Sequence, residues 1–117
     1  MNMMWIDDIA VHQPFGGATS PADPHDAGLL VARCLAAAAQ GDASAYFDLG
    51  VAYSTGSHGV NSDLIEAHKW FNLAAVAGHG EAQLCRAEIA DEMTAREIAE
   101  AQRRARQWLA AETRRAA

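Results

Sequence analysis

From residue 26 onward the chain sets apolar residues at i, i+3, i+4 and i+7 between glycine-containing breaks, the pattern of short amphipathic helices. Five helices are predicted. The first covers residues 26–40, with Leu30, Cys34 and Ala37 or Ala38 on one stripe, and stops at Gly41. Asp42 then caps a helix over about 43–55 that places Ala45, Leu49, Ala52 and Tyr53 on one face. Gly50 lies beside that face. A helical glycine costs about 1 kcal/mol relative to alanine, so its presence there predicts the close approach of another helix. The loop Gly56-Ser57-His58-Gly59 turns the chain, and Val60 plugs the end of the core. Asp63, with Glu66 at the third following position, caps a helix to about residue 77, which Gly78 ends. Its buried stripe is Leu64, Ala67, Trp70 or Phe71, and Ala74, which leaves Glu66 and Lys69 to water. A fourth helix spans about 80–93. Thr94 and Glu97 form a capping box for the fifth and longest, which runs through Ile98, Ala101, Ala105 and Leu109 with Trp108 alongside.

Residues 1–26 break the pattern. They hold all three prolines and the Gly16-Gly17 pair, so the chain divides into an irregular N-terminal segment and a helical domain over 27–117. The cluster of Met3, Met4, Trp5, Ile6, Ile9, Val11 and Phe15 is too apolar for a free tail and is expected to pack along the helical body, with an exposed linear motif as the alternative.

Composition supports an all-α protein. Of the 117 residues 27 are alanine and only 7% are aromatic, a mixture that favours helix formation and close helix packing within one domain. The net charge of −6 argues against nucleic acid as a partner. It is unevenly spread: from Thr94 onward six arginines face three glutamates, a balance read as a solvated helix face with cations near the C-terminus, with a docking surface for an acidic partner as the alternative. Cys34 and Cys85 lack metal-ligand spacing and are expected as reduced thiols. With neither a signal peptide nor a run of about 20 apolar residues, the chain reads as a cytoplasmic protein with no membrane partner.

Residues 37–45 and 74–82 match at four positions, Ala37 with Ala74, Ala38 with Ala75, Gly41 with Gly78 and Ala45 with Ala82, at an offset of 37. Such a period marks stacked helical pairs. Between the two ends stand Ala45, Leu49, Gly50, Tyr53, Gly56, Gly59, Val60, Asp63, Ala67, Trp70, Phe71, Ala74, Ala75, Gly78 and Ala82. In this order and near-spacing they resemble the Sel-1-like repeat, a relative of the tetratricopeptide (TPR) repeat. The resemblance implies a TPR-like fold of α-α hairpins, here a short right-handed solenoid of about five helices. It implies one full repeat over 45–82, flanked by degenerate ones. Two residues instead of one separate Gly56 from Gly59, so His58 looks like an insertion. Arg86 stands where the full repeat has Leu49, as expected of a capping unit, and Trp108 echoes Trp70 at an offset of 38.

Candidate chemistry is sparse. His12, His25, His58, His68 and His79 form no metal motif, no nucleophile constellation emerges from the spacing, and no cofactor is implied. Tyr53, Trp70 and Phe71 are read as packing residues instead of a ligand cage. The partner-binding candidates are the residues of the second helix that point away from Leu49 and Tyr53, namely Phe47, Asp48 and Val51, with Gln83 and Arg86 as counterparts across a concave face. The functional expectation is a non-enzymatic, bacterial protein-interaction module or adaptor that binds a segment of another protein in that groove. The alternative is a self-associating homodimer; an enzyme or ligand sensor ranks below both.

Overall fold

The computed structural model describes residues 24–116, which are all-helical with no strand among them. The helices are α1 (Pro24–Ala38), α2 (Ala43–Thr55), α3 (Leu64–Val76), α4 (Ala82–Ala90) and α5 (Ala95–Ala116). The apolar cluster from Met3 to Phe15, and the docking expected of it, lie outside the described residues.

The helix ends follow from side chains that satisfy the first backbone N–H groups. Asp42 Oδ1 accepts from the N–H groups of Ser44 at 2.9 Å and Ala45 at 3.3 Å, and α2 begins there. At α5 the box is reciprocal: Thr94 Oγ1 accepts from Glu97 N–H at 3.1 Å, and the Glu97 carboxylate accepts from Thr94 N–H at 2.8 Å. At α3 only half of it forms. Asp63 accepts from Glu66 N–H at 3.1 Å, while the Glu66 carboxylate is drawn elsewhere. The fourth helix is shorter than its apolar pattern predicts, because Glu81 offers no side-chain cap and the residues after Ala90 turn so that Thr94 can start α5. At the other end of α2, Gly56 takes φ 72° and donates to the Ala52 carbonyl at 2.8 Å. His58 is also left-handed, at φ 59°, and the loop closes when Asp63 N–H donates to the Tyr53 carbonyl at 2.9 Å.

α3 is the central helix. It packs against α2, α4 and α5, while α1 covers α2. The close approach predicted at Gly50 is made by an aromatic ring: a Cβ there would lie 2.5 Å from Phe71 Cδ1. Phe71 is fully buried, with the Phe47 ring 5.5 Å away.

α5 takes α3, not α4, as its main support. Trp108 meets Trp70 edge-to-face at 4.9 Å, and Arg104 Nη1 donates to Glu66 Oε2 at 2.7 Å. Both pairs are 38 residues apart in sequence, so α5 runs alongside α3 in parallel and in a fixed register. Ala101 and Ala105 are the small, buried residues that let the two helices draw together. None of the described helices is long and apolar enough to cross a membrane.

Candidate functional site

The groove expected around Phe47 and Val51 is not open. Phe47 is 4% exposed and Val51 1%, a correction to the reading that α2 offers an apolar pair to solvent. The reason lies in the composition of α2, where Tyr46 and Phe47 are consecutive and Leu49 and Val51 flank a glycine. A helix apolar on all sides is buried on all sides. The Phe47 ring lies flat on the His79 imidazole, with centroids 4.1 Å apart and planes 8° apart.

The other three candidates do not assemble into one surface. Asp48 is half-buried and turned toward α1, where its charge and that of Asp42 add to burial in pushing the Cys34 thiol up to about 11. Burial, then the Asp42 charge, raises Asp48 itself to about 6. Arg86 is half-buried against α3 and donates to Asn72 Oδ1 at 2.5 Å. It also adds to the burial that holds His68 down at about 4, so His68 is a neutral core histidine. Gln83 is exposed. Cys34 and Cys85 are both free thiols, and among the described residues no cluster of His, Cys, Asp and Glu is arranged to hold a metal ion. Trp70 and Phe71 are buried in the core and Tyr53 is half-buried, in keeping with packing roles.

Among the described residues a shallow, open cleft of about 480 Å³ lies where α5 rests on α3. α3 contributes Glu66 and Lys69. α5 contributes Glu100, Arg103, Arg104, Gln107, Trp108 and Ala111, one helical face of i+3 and i+4 steps. Beneath it sits an aromatic cluster from three helices. Tyr46 stacks on Trp70 at 5.9 Å, and Trp108 meets Tyr46 edge-on at 6.4 Å and donates its indole N–H to the Tyr46 hydroxyl at 3.1 Å. These contacts fix the Trp108 ring and hence the floor of the cleft.

Glu66 and Lys69 are therefore not left to water, as their positions on α3 predict; α5 covers them. The Lys69 ammonium stands 4.1 Å above the Trp70 ring and 5.5 Å from that of Trp108, and pairs with Glu66 Oε1 at 3.3 Å. Arg104 bridges Glu66 and Glu100, and Arg103 grips Glu100 with two N–H groups at 2.9 and 2.5 Å. Hydrogen bonds from Arg103 and Arg104 bring the Glu100 carboxyl down to about 2, so it is ionised at any working pH. Sequence reasoning missed this cleft, although two signals pointed to it: the shared offset of Trp70–Trp108 and Glu66–Arg104, and the run of charged residues with a tryptophan on one face of α5.

Comparisons with protein-family models, with curated proteins and with solved structures find no match to this chain.

Proposed function

We propose that this chain is a Sel-1-like repeat protein of TPR-like architecture, acting as a non-enzymatic interaction module that holds a partner segment in the cleft between α3 and α5. The observation that carries the reading is the parallel register of 38 residues between these two helices, with Trp70 on Trp108 and Glu66 on Arg104. Equivalent helices of successive repeats stack side by side in this way. The motif residues support the same reading, since Gly50, Trp70, Phe71 and Ala74 are spent on packing. The bound segment would lie over Trp108 between the charged walls, with no bond made or broken.

A photo-activatable cross-linker placed at Gln107, exposed in the cleft, tests this against one at the exposed Gln102 on the same helix, which does not line it. In cells of the natural host, adducts to a defined protein should form from Gln107 and not from Gln102. Equal labelling from both, or none, would count against the reading. Exposed Val76 and Leu84, which flank the turn between α3 and α4, favour self-association as the second reading. Light scattering at high concentration separates a monomer from a dimer.

A further inference from the structure

We infer that the α3–α5 cleft selects an acidic peptide segment, one that carries carboxylates beside an apolar side chain. This rests on the interaction-module reading and adds the chemistry of the partner. Every carboxylate oxygen in the cleft already accepts at least one hydrogen bond, which leaves about three of the eight lone-pair sites open. Glu66 gives Oε1 to Lys69 and Oε2 to Arg104, and Glu100 gives Oε1 to Arg103 and Oε2 to both arginines. The donors are not exhausted, because a guanidinium has five N–H groups and these contacts use two on each arginine. Three cations against two carboxylates leave the cleft with one positive charge.

Exposure follows the same order. The side chains of Arg103 and Arg104 are 50% and 35% exposed, those of Glu100 and Glu66 29% and 19%. An arriving carboxylate thus meets more unspent N–H groups, in the planar fork that suits it, than an arriving cation meets unspent acceptor sites. Arg103, Arg104 and Lys69 set this local positive balance on a chain of net charge −6. Trp108 and Ala111 line the same cleft and supply apolar surface for a side chain next to the carboxylate. A bare phosphate would leave that surface unused, and the negative chain as a whole disfavours a long polyanion.

The test is fluorescence anisotropy with a labelled short peptide alternating glutamate and leucine, against its glutamine counterpart, with inorganic phosphate as competitor. The proteins are the whole chain, Arg103→Glu and Arg106→Glu. The two variants change net charge equally, but Arg106 is exposed on the same helix and does not line the cleft. Arg103 pairs only with Glu100 of its own helix, so its loss leaves the α3–α5 contacts in place; circular dichroism checks this, and Arg103→Gln serves as a milder second variant. The acidic peptide should bind the whole chain. Arg103→Glu should weaken it by about tenfold or more and Arg106→Glu by about twofold, the first losing a charged hydrogen bond and the second only screened attraction. Arg103→Gln should fall between. Equal losses in the two glutamate variants would overturn the inference, as would displacement by phosphate at matched concentration or no binding at all. Equal binding of the glutamine peptide would overturn the charge selectivity yet leave the interaction-module reading standing, since that reading does not depend on the partner's charge.

Discussion

Replacing Gly50 with alanine sets two opposing effects against each other at the centre of the molecule. Alanine in mid-helix is worth about 1 kcal/mol over glycine. Here, however, the new methyl would lie 2.5 Å from Phe71 Cδ1, 2.6 Å from Cε1 and 2.9 Å from Cγ, all inside contact distance. Because Cγ is involved, swinging the tip of the ring does not relieve the clash. The whole side chain must move, and Phe71 is fully buried against Phe47. Overpacking costs roughly 1–3 kcal/mol, and three ring atoms inside 3.0 Å put this case in the upper half, about 2–3 kcal/mol; less the helix gain of about 1 kcal/mol, Gly50→Ala should destabilise by about 1–2 kcal/mol net. At about 4–8 °C per kcal/mol for a domain of this size, the thermal midpoint should fall by roughly 5–15 °C. A double-mutant cycle with Phe71→Leu isolates the cause. The leucine variant alone loses core packing, but in the Gly50→Ala background it should remove the clash, with a coupling of about 1 kcal/mol. Thermal melts of the four proteins decide it. A Gly50→Ala midpoint at or above that of the parent, or strictly additive effects, would refute the packing account.

Two groups give opposite slopes of stability against pH. Asp48, raised to about 6 from an unfolded value of about 3.9, favours the fold fully below pH 4, and that contribution is lost as pH rises through 6. His68, lowered to about 4 from about 6.5, contributes fully above pH 6.5 and loses it as pH falls toward 4. Asp48→Asn should therefore raise stability at pH 7 by about 1 kcal/mol after allowance for solvent screening, and uncover a fall in stability on acidification from pH 6.5 to 4. His68→Leu should uncover the reverse trend; urea titrations across this range that show unchanged slopes would contradict both assignments. Cys85, fully buried and pushed up to about 12 by burial and then Glu81 and Glu88, should resist alkylation in the native state, and Cys34, at about 11, should react slowly. Rapid labelling of Cys85 at neutral pH, followed by mass spectrometry, would show that the α3–α4 packing opens readily.

The elements were legible where local chemistry decides them. Asp42 and Thr94 cap helices because short polar side chains satisfy N–H groups within three residues, and no tertiary information is needed. Gly50 announced a close contact because alanine would otherwise be preferred. What one helix cannot reveal is what lies on its outer side. Phe47 and Val51 were read as a free face because only the Leu49 stripe was assigned to the core, whereas α1 and α3 enclose α2 from both sides. Glu66 and Lys69 were read as solvated for the same reason, since the helix that covers them begins some 30 residues later in the chain. The clue to that covering was in the sequence all along, as the common offset of the tryptophan and charge pairs, but an offset becomes a contact only when the register is known.

A partner held between α3 and α5 touches that cleft and leaves α2 alone. Nuclear magnetic resonance of the isotope-labelled whole chain, titrated with the acidic peptide, tests it most directly. Shifts should concentrate at the side-chain N–H groups of Arg103 and Arg104, the Gln107 amide and the Trp108 indole, with Asp48 and Gln83 unmoved. Shifts centred on Asp48, Val51 and Gln83, with the Trp108 indole unmoved, would contradict it.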